Sequence, residues 1–325
     1  MTRSSVPPPV TMVVEEAHAW LPARLAAVER RLRELTAGHG EALAGDAGAT
    51  LAAGGKRLRP LLVLLCAGPR AGEGAIRAAS AVELVHMATL VHDDVLDGAP
   101  LRRGHPTVAA RSGRGRAIAT GDLLFSRAFA ELGSDGGGRQ VELLSSASVA
   151  LALGELAQRR DAYDTRITAE RYLERCRLKT ARLFECACLI GRAADGEPDP
   201  ALGRFGRHIG LAFQMLDDVL DVTGPPERTG KAVGTDLLDG TVTLPLIFAQ
   251  EADPGIAEVN LRGLDQARAE AVCERIGATD ALDRVRELAR ARVAEAKATL
   301  EGIEIPVDER RLLALVADGV VERYS

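Results

Sequence analysis

Apolar residues at helical spacing run through almost the whole chain and leave little room for any other secondary structure. In residues 14–37, VEEAHAWLPARLAAVERRLRELTA, apolar side chains recur every three or four positions with Arg and Glu between them. No strand-like alternation of apolar and polar residues stands out. The sequence therefore predicts an all-α fold. Further helical segments are expected at 74–97, 115–133, 139–163, 168–191, 200–222, 235–250, 265–276, 279–302 and 308–323.

The breaks between these segments are short and rich in Gly, Pro, Asp and Ser, so no linker divides the chain into domains. These breaks lie at 54–55, 134–138, 195–198 and 224–226. We therefore predict one large helical bundle over residues 15–325. Residues 1–14 contain the run Pro7-Pro8-Pro9 and are expected to form a disordered tail.

The composition excludes several functional classes. The chain has 325 residues, of which 46% are hydrophobic and 27% charged, so it can bury a large core. Its net charge of −5 and its dispersed arginines do not favour nucleic-acid binding. We expect neither a secretory signal nor a membrane-spanning segment, because no apolar run approaches about 20 residues. Five cysteines are too few for a disulfide framework, so we expect free thiols and a cytoplasmic protein.

The string DDVLD occurs twice, at 93–97 and at 217–221. On a helix its first and fifth residues share a face, about one turn apart. Both clusters are predicted at the carboxyl ends of apolar helices, where the helix dipole disfavours acidic side chains. Such crowding needs a cation, and oxygen ligands suit Mg²⁺ held together with substrate phosphates. The sequence therefore predicts several Mg²⁺ ions around one diphosphate. The predicted ligands are Asp93, Asp94, Asp97, Asp217, Asp218 and Asp221.

Basic residues lie near these clusters in the sequence. Only four of the 41 basic residues are lysines, so each lysine is a candidate for a site where arginine cannot substitute. Lys56 and Arg59 begin a predicted helix after two glycines, an arrangement that favours anions. Arg102 and Arg103 follow the first cluster, as expected beside a phosphate-bearing substrate. The other candidates are Lys179, Lys231, Gln214 on the face of Asp217, and His86 on almost the same face as Asp93.

Together these residues resemble the motifs of the trans-isoprenyl diphosphate synthases, also called polyprenyl synthetases. The resemblance covers about residues 50–325. It implies the isoprenoid synthase fold, a helical bundle around a deep central cavity, usually as a homodimer. It also implies a prenyltransferase that condenses isopentenyl diphosphate head to tail with an allylic diphosphate. The motifs are GGKRLRP (54–60), HDDVLDGAPLRRGHPTV (92–108), GDLLFSRAF (121–129), GELAQ (154–158), KTARLF (179–184), FQMLDDVLD (213–221) and GKAVGTDLLDG…TLP (230–245).

The resemblance implies a role for each matching residue. The six aspartates would hold the allylic diphosphate through Mg²⁺. Direct contacts to that diphosphate would come from Arg102, Lys179 and Lys231. Isopentenyl diphosphate would be bound by Lys56, Arg59, His86 and Arg103. The developing allylic cation would face Thr180 and Gln214.

The resemblance also suggests the length of the product. Ala88 and Thr89 lie five and four residues before Asp93. Short-chain members of the family tend to carry Phe or Tyr there, and that ring closes the bottom of the cavity. Small side chains leave the cavity open, so we expect geranylgeranyl diphosphate or a longer product, with transient membrane contact during its release. Thr241 stands where many members have a lysine that reaches the allylic diphosphate, and its effect is left open.

Two other functions share part of this pattern. A class I terpene cyclase has the same fold, but its second motif mixes Asn, Ser or Thr with Glu and its cavity is aromatic. Here the second motif is again DDVLD, and aromatic residues make up only 3% of the chain. A non-catalytic subunit of a heteromeric prenyl synthase typically lacks one acidic cluster, whereas both are present here.

Overall fold

Helices make up most of the structure, which confirms the all-α prediction. The computed structural model describes residues 8–38, 40–133, 137–194, 196–224 and 232–322. The helices are α1 (Pro8–Glu16), α2 (Leu21–Ala37), α3 (Glu41–Ala52), α4 (Leu58–Ala67), α5 (Glu73–Leu96), α6 (Val108–Ser112), α7 (Arg114–Gly133), α8 (Gly138–Asp161), α9 (Ala169–Cys176), α10 (Arg182–Arg192), α11 (Pro200–Thr223), α12 (Thr235–Leu238), α13 (Leu244–Ala252), α14 (Pro254–Ala257), α15 (Gln266–Gly277), α16 (Ala281–Glu301) and α17 (Val307–Glu322). A π-helical turn, Arg177–Ala181, joins α9 to α10, and the strands β1 (Leu101–Arg102) and β2 (His105–Pro106) form a hairpin after α5.

Helix α5 is buried along most of its length and packs against α2, α4, α7 and α10. Small side chains such as Ala78 and Ala81 are fully buried on it, so its neighbours approach closely. By length and composition alone, α5 is long and apolar enough to cross a membrane. However, 72% of its most apolar window is buried inside the protein, as in the core helix of a globular protein. No other helix in the described ranges meets these criteria.

The second half of the bundle is organised around α11, which packs between α10 and α16. The buried apolar residues form one cluster that extends from Val13 to Val320. Leu, Val, Ile and Ala dominate this core, as expected for a chain with few aromatic residues. Helices α5 and α11, which carry the two acidic clusters, are both largely buried, so the packing of the core sets the positions of both clusters.

The amino-terminal segment differs from the expected disordered tail. Residues Pro8–Glu16 form α1, which packs against the carboxyl-terminal helix α17. Val13 is fully buried and Ala17 is 3% exposed. Proline is compatible with the first turn of a helix, where its missing N–H costs no hydrogen bond. The tertiary contact of Val13 therefore supports a helix where the proline run predicted disorder, and residues 1–7 lie outside the described part of the chain.

Candidate active site

The two acidic clusters lie at the carboxyl ends of α5 and α11, as the sequence predicts. Asp93 and Asp94 are in the last turn of α5 and Asp97 caps it, while the second cluster, Asp217–Asp221, ends α11. In each cluster the middle residue is buried, with Asp94 4% and Asp218 2% exposed. The outer aspartates retain access to solvent. The two kinds of aspartate therefore have different surroundings.

The first middle aspartate is paired with the hairpin that follows α5. Arg102 Nε donates to Asp94 Oδ1 at 2.7 Å. The hairpin turns at Arg103 and Gly104, whose φ angles are +52° and +77°, as a two-residue type I′ turn requires. From this turn Arg103 Nη1 donates back to the carbonyl of Gly54. The hairpin, which the sequence analysis did not predict, thus joins the first cluster to the GGKRLRP motif.

The second middle aspartate is held by neutral donors. The hydroxyl of Tyr172 donates to Asp218 Oδ2 at 2.5 Å, and Gln214 Nε2 donates to Asp218 Oδ1 at 2.8 Å. Thr180 Oγ1 in turn donates to Gln214 Oε1 at 2.7 Å. Sequence reasoning missed Tyr172, which resembles an ordinary core aromatic. No local spacing could have revealed it, because its partner Asp218 lies 46 residues away in the sequence.

The π-helical turn Arg177–Ala181 links the two clusters, where the sequence predicts a continuous helix. Lys179 Nζ hydrogen-bonds to Glu155 Oε2 and lies 3.9 Å from Asp93 Oδ1. The next residue, Thr180, reaches the second cluster through Gln214. Successive residues of a helix point in directions about 100° apart, so neighbouring side chains can serve different clusters. π-helical turns within α-helices often occur at functional sites.

Two glycines let the neighbouring helices pack directly on this turn. A Cβ atom added to Gly154 of α8 would lie 2.5 Å from Lys179 N. One added to Gly210 of α11 would lie 2.6 Å from the Cα of Ala181. Real Cβ contacts are essentially never shorter than 3.0 Å. Backbone contact from two sides therefore holds the turn, and with it Lys179 and Thr180, in place.

Helix α8 contributes two charged residues to the first cluster. Arg159 Nη2 donates to Asp97 Oδ1 at 2.5 Å, and its Nε donates to Glu155 Oε1 at 2.6 Å. Burial alone would raise the pKa of Glu155, but Lys179 and Arg159 hold that pKa below its usual value. Sequence reasoning noted Glu155 in the GELAQ motif but missed Arg159. The four-residue spacing of the two on one helix face was the available signal.

A cavity of about 210 Å³ lies between α5, the hairpin and the loop before α4. Burial and four surrounding arginines lower the pKa of His86 well below its usual value, so its ring is neutral near pH 7. The cavity lining contains four arginines and two carboxylates, and this excess of positive charge favours an anionic ligand. The structure brings four predicted site residues to this cavity, namely His86, Asp94, Arg102 and Arg103.

The remaining residues of the GGKRLRP motif flank the cavity. Arg59 lies in the first turn of α4, with Cζ 4.5 Å from the centroid of the Phe184 ring. Its Nε is buried and makes no hydrogen bond within the described residues. Burial lowers the pKa of Arg59 to about 10, so the side chain stays charged at neutral pH. Lys56 is exposed, and neither of these two residues lines the cavity.

Negative charge is crowded at both clusters. Burial, together with neighbouring carboxylates and despite Lys179, raises the pKa of Asp93 to about 6. Burial and the carboxylates of Asp236 and Asp217 raise the pKa of Asp218 well above its usual value. Crowded oxygen ligands fit a hard divalent cation. Among the described residues no three His, Cys, Asp or Glu side chains converge on one point.

Three further predicted residues, Asp221, Ala88 and Thr89, do not line this cavity, and a fourth, Lys231, is outside the described residues. Asp221 Oδ2 accepts a hydrogen bond from Asp236 N at 3.1 Å and so anchors the start of α12. Ala88 is fully buried and Thr89 is partly buried, about one turn before Asp93 on α5. Lys231 lies outside the described residues, so its predicted contact with the diphosphate stays a prediction.

The fold and the paired acidic clusters define a prenyltransferase of the all-α isoprenoid synthase type. The polyprenyl synthetase family model matches residues 42–276. The chain belongs to this family, which confirms the predicted family and the prediction of prenyl diphosphate synthesis.

Individual relatives agree with this assignment. Heptaprenyl diphosphate synthase component 2 of Geobacillus stearothermophilus is 39% identical over 307 residues, which cover 92% of this chain and 95% of that protein. Octaprenyl diphosphate synthase of Escherichia coli is 36% identical over 258 residues, covering 76% and 80%. The crystal structure of a polyprenyl synthase from Caulobacter crescentus, complexed with calcium and isoprenyl diphosphate, has a TM-score of 0.88 at 34% identity, covering 97% and 98%.

Proposed function

We propose that this chain uses Mg²⁺ to condense isopentenyl diphosphate head to tail with an allylic diphosphate, giving all-trans geranylgeranyl diphosphate or a longer product. The observation that carries this proposal is the π-helical turn Arg177–Ala181. It presents Lys179 to the first cluster and Thr180 to the hydrogen-bonded group of the second. A diphosphate bound between the clusters would thus have the ammonium group of Lys179 at one side, while the oxygens of Thr180 and Gln214 would face the allylic carbon that becomes cationic.

We assign the metal to the outer residues of each cluster. These residues sit four positions apart at a helix end and retain solvent access. The middle residues, Asp94 and Asp218, were also predicted as ligands, but they are only 4% and 2% exposed, and neighbouring side chains donate hydrogen bonds to both. We therefore assign to them the positioning of each cluster. Bound Mg²⁺ would neutralise the diphosphate and favour its departure. The outer residues are Asp93, Asp97, Asp217 and Asp221.

The protein's own residues support each stage of the condensation. The C1–O bond of the allylic substrate breaks, and Lys179 and Arg102 stabilise the departing diphosphate. The double bond of isopentenyl diphosphate then attacks C1, and the departed diphosphate takes the proton released from the new cation. Arg59 and Arg103 supply positive charge for the second diphosphate, and the neutral ring of His86 can donate one N–H to it. The apolar core around α5 keeps water from the carbocation.

Product length follows from the residues beneath the first cluster. Ala88 and Thr89 are small, so neither closes the space below Asp93 with a bulky ring. The relatives named above make heptaprenyl and octaprenyl diphosphates according to their names. Both points support a product longer than farnesyl diphosphate.

The test is the product formed by the purified chain from isopentenyl and farnesyl diphosphates, with and without Mg²⁺. We expect a Mg²⁺-dependent product of geranylgeranyl length or longer. Asp93→Asn should lower kcat by about 10²- to 10³-fold, whereas Asp283→Asn, at a side chain 80% exposed on α16, should leave it unchanged. No diphosphate release by any preparation would overturn the proposal. A product that ends at farnesyl diphosphate, made from a shorter primer, would overturn the length alone.

A second candidate is one subunit of a two-chain synthase. The relatives from Geobacillus stearothermophilus and Bacillus subtilis, 39% and 36% identical, are both named component 2 of heptaprenyl diphosphate synthase. Both acidic clusters are present here, which favours a chain that carries the active site itself. Turnover by the chain alone would support the first candidate. Turnover that appears only after a second chain is added would support the two-chain form.

We also propose that the chain forms a homodimer, because α8 carries an exposed apolar stripe. Val149, Leu153 and Leu156 recur at helical spacing and are 58%, 52% and 66% exposed. Burial of this stripe against a second copy would remove it from water. Sedimentation should show a dimer that Leu153→Asp dissociates and that Leu288→Asp, on α16, leaves intact. A monomeric wild-type chain would overturn the proposal.

A cytoplasmic location is proposed on the basis of the cysteines. All five are free thiols and all are buried, as expected for a protein kept in a reducing compartment. Microscopy of the tagged chain in its host, with fractionation of membranes, would test this. Stable recovery in the membrane fraction would contradict it.

A further inference from the structure

A chain of alternating charges connects the two outer residues of the first cluster. Asp97 pairs with Arg159, Arg159 with Glu155, and Glu155 with Lys179, which lies 3.9 Å from Asp93. Glu155 is therefore shared by two cations, whereas Asp97 Oδ1 is bonded by Arg159. Arg159 therefore supplies a positive charge next to one outer aspartate.

Arg159 is placed so that it can change partners. It lies in the last turn of α8 with its side chain 36% exposed, and Asp97 beside it is 25% exposed. Ion pairs of this exposure are worth only about 1 kcal/mol or less, so the Arg159–Asp97 pair is easily exchanged. Lys179 would still balance Glu155 after the exchange. A guanidinium released in this way stays at the edge of the cluster where the diphosphate is proposed to bind.

We propose that Arg159 is an additional diphosphate-binding residue, which neutralises Asp97 in the free protein and moves to a phosphate oxygen of the allylic substrate when the metal occupies Asp97. This inference rests on the proposed function. The planar guanidinium suits phosphate because it offers parallel N–H donors. Arg159 also remains anchored through Glu155, four residues earlier on the same helix, so only the far end of its side chain needs to turn.

Calorimetric binding of inorganic diphosphate in the presence of Mg²⁺ tests this without requiring turnover. Arg159→Gln should weaken diphosphate binding about 10- to 100-fold, as expected for the loss of a charged hydrogen bond. Arg159→Lys should recover part of the affinity, because it keeps the charge and loses the fork. The matched control is Arg160→Gln, the neighbouring arginine, which is 70% exposed and pairs with Asp161 at 3.5 Å. The diphosphate affinity of the control should lie within twofold of that of the wild-type chain.

Three outcomes would overturn the proposal. Equal diphosphate affinity for Arg159→Gln and the wild-type chain would show that Arg159 does not contact the ligand. Tighter binding by the variant would show that Arg159 only competes with the metal for Asp97. A wild-type chain that binds no diphosphate would overturn the proposed function, and this inference with it. Thermal unfolding of each variant should match that of the wild-type chain, which separates a binding defect from loss of the fold.

Discussion

Replacement of Gly154 by alanine is expected to displace Lys179 from the first acidic cluster. Helix α8 crosses the π-helical turn at Gly154, and the added Cβ would lie 2.5 Å from Lys179 N and 2.8 Å from its Cα. Ordinary van der Waals contact begins at 3.4 Å. Both neighbouring atoms belong to the backbone, so the clash cannot be relieved by a change of rotamer. The helix and the turn would have to separate by about 1 Å.

The consequences follow from that displacement. Overpacking of this kind costs about 1–3 kcal/mol of folding free energy, against a helix-propensity gain of about 1 kcal/mol for alanine over glycine. Stability should therefore fall by up to about 2 kcal/mol. A shift of about 1 Å in a binding group lowers turnover by about 10²-fold. We expect kcat to fall by that factor, measured as isopentenyl diphosphate incorporation, with stability measured by urea unfolding.

Gly48→Ala provides the matched control. Gly48 lies inside α3, and a Cβ there would meet no atom within 4 Å. The control should be stabilised by about 0.5–1 kcal/mol and keep wild-type kcat. If Gly154→Ala also retained wild-type kcat and stability, the reasoning that backbone contact at Gly154 positions Lys179 would be refuted.

Four further substitutions, each with a stated control or contrary outcome, test other parts of the protein. Tyr172→Phe removes a hydrogen-bond donor from Asp218 and should lower the free energy of unfolding by about 1–3 kcal/mol. It should also lower kcat more than it changes KM. Tyr163→Phe is the control, and an unchanged kcat for Tyr172→Phe would contradict the positioning role of Tyr172. Thr89→Phe and Ala88→Phe should shorten the product, measured by chromatography of the dephosphorylated alcohols. An unchanged product from both folded variants would show that other residues limit the length of the product. Arg57→Gln breaks ion pairs with Glu29 and with Glu83, whose side chain is 4% exposed, and should cost about 3 kcal/mol in urea unfolding. Arg166→Gln, at a side chain 88% exposed, should cost less than about 0.5 kcal/mol, and equal losses for the two arginines would refute the structural role of Arg57.

Most helix positions could be predicted from the sequence because apolar spacing is a local property. The segment expected at 74–97 is α5, Glu73–Leu96, and that expected at 200–222 is α11, Pro200–Thr223. The segment expected at 168–191 contains α9, the π-helical turn and α10 instead of one regular helix. The widened turn is not visible in the apolar pattern. It lies where the backbones of α8 and α11 approach Lys179 and Ala181 at Gly154 and Gly210, and these contacts join segments far apart in the sequence.

Part of the chemistry of the site could also be predicted from the sequence. Residue types and spacing identified both acidic clusters and the basic residues around them. They could not separate Asp94 and Asp218 from the outer aspartates, because all six have the same side chain and the two strings are identical. The difference lies in partners such as Tyr172 and Arg102, which are 46 and 8 residues distant in the sequence. Arg159 was hidden for a similar reason, since 37 of the 41 basic residues are arginines.

The sequence by itself determined the helical class, the family and the groups available for binding a diphosphate and its metal, because these depend on residue type and on spacing within single segments. Tertiary structure decided which of those groups are exposed to solvent and which are held in hydrogen bonds or ion pairs. The pairs Lys179–Glu155, Arg159–Asp97 and Tyr172–Asp218 each join different helices. Such pairs form only when packing of the core brings the helices together, so the burial and charge of each carboxylate are properties of the folded chain.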